Sequence, residues 1–173
     1  MFIEWLEYVM KIYILRHGIA VERGSGGYTD DSKRPLTVKG REKMHDIARN
    51  MRQQGIRFDL LLSSPYVRAR ETIEIVTKEF NIKKNAIVYS NNLIPDAPIK
   101  KIVEEINTTY PSSKSILIAG HEPHLSSLIS YLLAGHESAI AINLKKGGLC
   151  QLDIEKLKNG ACAVLTLLLN PSH

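Results

Sequence analysis

Two arginines and two histidines, far apart in the chain, have the types and settings to do chemistry. They stand in Leu15-Arg16-His17-Gly18, in Ser63-Ser64-Pro65-Tyr66-Val67-Arg68-Ala69-Arg70-Glu71-Thr72, and in Ala119-Gly120-His121-Glu122-Pro123. Each cluster directly follows a short apolar run. A guanidinium stays charged at every working pH, and its fork of N–H groups matches the oxygens of a phosphoryl group. A neutral imidazole is a competent nucleophile toward phosphorus, and a second one can donate a hydrogen bond as charge develops. Phosphoryl transfer is the chemistry this set suits. His121-Glu122-Pro123-His124 lacks the i, i+4 spacing of a zinc-binding helix, and Pro123 argues against such a helix there. No acidic triplet or thiolate cluster reads as a metal site, so we expect neither metal nor organic cofactor.

Short β-rich runs alternate with helical patterns, which is the α/β signature. Residues 11–15 read as a first strand, followed by a polar, Gly-rich loop over 16–36. Thr37 can cap a helix reaching about Gln54, with Met44, Ile47, Ala48 and Met51 as its apolar stripe and Gly55 as its stop. Residues 59–63 read as a second strand. Ser64 and Pro65 then read as the N-cap and first-turn proline of a helix that buries Val67, Ile73, Val76 and Phe80. Strands are expected over 86–89 and 115–119, and helices over about 99–107 and 124–134. Two closing strands, 148–154 and 162–168, flank the Lys158-Asn159-Gly160 turn. If the strands that precede the three clusters run parallel, the clusters meet at their carboxyl edge, where open α/β sheets hold ligands. Arg68 then lies in the first turn of its helix, where backbone N–H groups already favour an anion. Arg68 could alternatively pair with Glu71 on the helix surface.

The chain has 173 residues, enough for one domain with a full core. Its balance of 23 Lys+Arg against 18 Asp+Glu gives a net charge of +5. That mild excess favours anionic ligands; with few aromatic residues and no nucleic-acid motif, a nucleic-acid partner is not expected. Cys150 and Cys162 are too few for a disulfide framework and read as reduced thiols. No stretch approaches the roughly 18 apolar residues of a membrane span, and the acidic N-terminus does not resemble a secretory signal. A cytoplasmic protein is expected. Residues 1–9 read as an extension, with Met10 a candidate natural start and 10–173 a single domain. Lys145-Lys146 read as solvated charges, and His45, His124, His136 and His173 as non-catalytic.

The three clusters in this order and strand context resemble the histidine phosphatase, or phosphoglycerate mutase-like, superfamily, over roughly residues 11–170. The small size and Arg34-Pro35-Leu36-Thr37-x-x-Gly40 look like its SixA-type phosphohistidine phosphatases. The resemblance implies a three-layer α/β/α sandwich around a mostly parallel central sheet, with no large cap domain. It implies that His17 is the phosphorylated nucleophile, that Arg16, Arg68 and His121 form the phosphate pocket beside Gly18, and that Arg34 faces that pocket. Many superfamily members carry a glutamate general acid after the third strand. Here that loop is Asn92-Leu93-Ile94-Pro95-Asp96-Ala97-Pro98, and Asp96 is the candidate acid. A labile P–N bond tolerates the lack of a strong acid better than an alkyl ester does. The expected activity is metal-independent hydrolysis of protein phosphohistidine, the partner being a phosphohistidine-containing domain. Its rivals are a small-molecule phosphomonoesterase or mutase and a non-catalytic phosphate-binding module.

Overall fold

Alternation along β1 (Met10–Arg16) shows how the core is divided: Ile12 and Ile14 pack on one side of the strand, Tyr13 and Leu15 on the other. A strand with both faces apolar must be covered on both. In the computed structural model, which describes residues 9–171, that is what happens. Residues 1–8, most of the expected extension, lie outside the described residues.

The remaining elements are α1 (Val38–Gln53), β2 (Leu60–Ser63), α2 (Val67–Glu79), β3 (Ile87–Tyr89), α3 (Ile99–Thr109), β4 (Ser115–Gly120), α4 (His124–Ala134), β5 (Leu149–Ile154) and β6 (Ala163–Leu169). The six strands form one sheet in the order β3-β2-β4-β1-β5-β6. The pairs β3–β2, β2–β4 and β4–β1 are parallel; β1–β5 and β5–β6 are antiparallel. Helices α1 and α2 join Tyr13, Leu15, Leu61 and Leu117 in one core layer. Helices α3 and α4 join Ile12, Ile14, Leu62 and Ile118 in the other. The three-layer α/β/α sandwich is therefore present, and no cap domain is inserted among the described residues. No described helix is long and apolar enough to cross a membrane.

The ends of α1 follow their local signals. Thr37 accepts the Gly40 N–H at 2.9 Å, and Gly55 stops the chain at φ +76°. Helix α2 corrects the sequence expectation. It begins at Val67, with Tyr66 in the cap position and no side-chain cap, so Ser64-Pro65 is neither N-cap nor first turn. Ser64 instead turns its hydroxyl to the His121 ring at 2.8 Å, a partner in another strand's loop that local spacing cannot reveal. Four strands, β2, β3, β5 and β6, also start one residue late. Asp59 spends its carboxylate on the Lys114 and Ser115 N–H groups, and Ala86 completes a 3-10 turn before β3.

Candidate active site

His17 directly follows β1, His121 directly follows β4, and Arg68 is the second residue of the helix after β2. Because β2, β4 and β1 are neighbours and parallel, all three clusters meet at one carboxyl edge of the sheet. Adjacent strands lie about 4.8 Å apart, so this topology alone brings the side chains within reach of one small ligand.

The ring of His17 is fixed at both nitrogens. Nδ1 lies 2.7 Å from the Gly18 carbonyl oxygen. A carbonyl only accepts, so Nδ1 carries the proton and Nε2 presents a lone pair. The Arg68 Nε–H donates to that Nε2 at 3.2 Å. Burial pushes the His17 imidazole down to about 3, against the Gly18 hydrogen bond and with help from the Arg68, Arg16 and Lys146 charges. The imidazole is thus neutral at neutral pH, the form a nucleophile requires. Gly18 donates its N–H to Thr72 Oγ1 at 3.1 Å, and Thr72 donates to the Arg68 carbonyl at 2.7 Å, which ties this loop to α2.

His121 packs with its ring centroid 5.1 Å from that of His17. Its Nε2 meets Ser64 Oγ, while Nδ1 is buried with no hydrogen-bond partner. Burial, then the neighbouring His17 and Arg68, holds it down at about 2. Tyr66 covers both partners: its ring lies 5.1 Å from the His121 ring and 5.2 Å from the Arg68 guanidinium carbon. Arg16 gives Nη1 to the Leu144 carbonyl at 2.8 Å and leaves a buried Nε without a partner. Buried polar groups unmatched by protein are uncommon, and at an oxyanion site they are what a ligand would satisfy.

The outer side of Arg68 is held by Asp31, a residue the sequence reading passed over. Arg68 Nη1 donates to the Asp31 carbonyl at 2.7 Å and Nη2 to its carboxylate at 2.9 Å. Arg34 binds the other carboxylate oxygen through Nε at 2.8 Å and Nη2 at 2.7 Å, and reaches the Val21 carbonyl through Nη1. Burial raises the Asp31 carboxyl, but hydrogen bonds and charge from Arg34 and Arg68 outweigh it and hold the group at about 2. Arg34 therefore joins the cluster through Asp31. The signal for Asp31 was an acid three residues before Arg34 in a long loop. Glu71 takes Arg41 at 2.9 Å and the Leu36 N–H at 2.7 Å, so the surface pair with Arg68 does not form. Asp96 is exposed and makes no hydrogen bond or ion pair among the described residues. No three His, Cys, Asp or Glu side chains among the described residues gather as metal ligands would.

Residues 12–91 match the model of the histidine phosphatase superfamily, branch 1. An uncharacterised protein of Picosynechococcus sp. PCC 7002 is 32% identical over 148 residues, covering 83% of this chain and 84% of its own. The chain belongs to the histidine phosphatase superfamily. Within it, the phosphohistidine phosphatase SixA of Escherichia coli is 28% identical over 127 residues, 73% of this chain and 76% of its own. A structure of the protein histidine phosphatase SixA complexed with tungstate superposes with a TM-score of 0.80 at 22% identity, covering 93% of this chain and 97% of that one. The phosphoglycerate mutase-like fold and a hydrolase of the histidine phosphatase type are thereby shown.

Proposed function

We propose that this protein hydrolyses phosphohistidine on proteins through a phosphorylated His17, without a metal or organic cofactor. The observation that carries the reading is the state of His17: Nδ1 protonated on the Gly18 carbonyl, Nε2 free of a proton and aimed at Arg68. In the first step the Nε2 lone pair forms a bond to phosphorus as the P–N bond to the substrate imidazole breaks in line. The leaving nitrogen takes its proton from solvent. Arg16, Arg68 and His121 hold the equatorial oxygens as charge builds, with Gly18 and Arg34 supporting the pocket. In the second step water attacks the phosphohistidine, releasing inorganic phosphate and restoring neutral His17.

Two features favour a phosphoramidate. The 92–98 loop has no glutamate, and its one acid, Asp96, is exposed and unengaged among the described residues. A positioned acid contributes roughly a hundredfold to ten-thousandfold, and an alkyl ester needs it most. The likeness to SixA phosphatases points the same way, and the uncapped edge leaves room for a folded protein to approach.

The test compares kcat/KM for a phosphohistidine-containing domain, an aryl phosphate and a sugar phosphate, with acid-quench trapping of radiolabelled phosphate on the enzyme. A phosphohistidine preference with label lost in His17→Ala is expected. A sugar-phosphate preference would move the protein to the small-molecule branch and make Asp96 the acid to test. Binding without turnover would make it a phosphate-recognition module.

A further inference from the structure

The turn 144–148 is bound to the nucleophile's own backbone. Leu144 O accepts from Arg16 Nη1 at 2.8 Å, the Gly147 N–H reaches the carbonyls of Arg16 and His17 at 3.1 Å each, and the Arg16 N–H donates to Gly148 O at 3.0 Å. Glycines make this contact possible: Gly147 sits at φ +76°, and a Cβ at Gly148 would lie 2.6 Å from Asn170 Oδ1. Lys146 is carried on this turn, next to the amide that touches His17. Its side chain is exposed and makes no hydrogen bond or ion pair among the described residues.

Two exposed cations on the loop that carries Asp31 are occupied. Lys33 faces Asp30 at 3.6 Å, and Arg23 faces Asp31 at 3.2 Å. Inside the pocket Arg34 and Arg68 share the Asp31 carboxylate. Lys146 has no such internal counter-ion, yet its charge is among those felt by the His17 ring. An exposed cation on a turn bonded to Arg16 and His17 contributes little to fold stability and is free to meet a charge on an incoming molecule.

We propose that Lys146 is a specificity residue, which selects substrates that carry an anionic group on the leaving-group side of the transferring phosphate. The proposal rests on the phosphatase reading of His17 and deepens it. The transferring phosphoryl group engages Arg16, Arg68 and His121, so an anion met by Lys146 must belong to the rest of the substrate. A carboxylate supplies that chemistry, whether from an acidic residue flanking a phosphohistidine or from a small phosphorylated acid.

The experiment measures kcat/KM on two matched pairs: phosphohistidine peptides with acidic or neutral flanks, and aryl phosphates with or without a carboxylate on the ring. For the wild type the acidic member of each pair is preferred, and the preference falls as salt rises. In Lys146→Ala the acidic-to-neutral ratio drops about tenfold, through KM, and in Lys146→Glu it inverts; Lys146→Arg retains it. Equal losses on both members of a pair, or unchanged ratios in Lys146→Ala and Lys146→Glu, would overturn the proposal. The arms separate its two premises. Inert phosphohistidine peptides beside aryl phosphates that keep the charge dependence would remove the phosphohistidine assignment and leave Lys146 standing. Phosphohistidine turnover without charge dependence would do the reverse.

Discussion

Arg68 Nε lies 3.2 Å from His17 Nε2, so the guanidinium donates into the same lone pair that would attack phosphorus. The contact fixes the ring and disfavours a proton at that atom. On the proposed mechanism, an entering phosphoryl group's oxygens compete for the same donor and free the lone pair. Arg68→Ala should lower the rate of phosphoenzyme formation about a hundredfold or more, as expected for loss of one oxyanion donor. Arg68→Lys should not restore it, because a point charge cannot replace the fork. Rapid-quench measurement of labelled enzyme checks both; near-normal rates in either variant would remove Arg68 from the transition state.

Asp31 both orients Arg68 and neutralises part of its charge. Asp31→Asn keeps a side-chain oxygen near both guanidiniums but removes the negative charge beside the phosphate pocket. Inorganic phosphate should then inhibit more tightly, by about tenfold, or about 1.4 kcal/mol. Titration of phosphate against turnover reads this directly, and weaker inhibition would show that orientation outweighs charge.

Three buried histidines contribute to the pH dependence of stability. Burial lowers His17 to about 3, His121 to about 2 and His124 to about 4, all from an ordinary 6.5. The unfolded chain therefore binds more protons than the folded one between those values and 6.5. The stabilisation is fully present above pH 6.5 and is lost as pH falls through the folded values. The urea midpoint should be lower at pH 5 than at pH 7, and His124→Gln should flatten the slope. A midpoint that rises on acidification would contradict the burial of these rings as neutral groups.

Gly40 is a close approach between α1 and the loop after His17. A Cβ there would stand 2.1 Å from the Ile19 carbonyl oxygen, a backbone atom that already accepts the Thr37 N–H at 2.9 Å. Gly40→Ala should destabilise by about 1–3 kcal/mol and should also slow turnover, because the displaced loop begins at Gly18. Chemical denaturation and steady-state kinetics on the same preparation test the coupling; lower stability with unaltered kinetics would break it.

Asp96 should matter little to a phosphoramidate. Asp96→Asn is expected to keep phosphohistidine hydrolysis within about twofold, since the leaving imidazole needs no strong acid. A large, selective loss on alkyl phosphates would instead assign it to leaving-group protonation.

Much of this fold was legible in the chain because its signals are local. Helix α4 occupies 124–134 as its pattern predicts, and Thr37 and Gly55 bound α1 within a residue, since a cap and a left-handed glycine act over one turn. Arg16-His17 and His121 were legible as candidates because each stands at or just beyond an apolar strand, and Arg68 because it stands in the first turn of the helix that follows one. What the sequence could not display was partnership. Arg68 meets Asp31 across 37 positions, His121 meets Ser64 across 57, and Arg16 meets Leu144 across 128. Such pairs have no period and no fixed spacing; they arise only once β2, β4 and β1 lie side by side. Ser64 looked like a cap because hydroxyls before prolines often are, and tertiary packing offered it an imidazole. Lys146 looked like solvent-facing charge, and it is exposed; only the tertiary structure ties its turn, 144–148, to the backbone of His17.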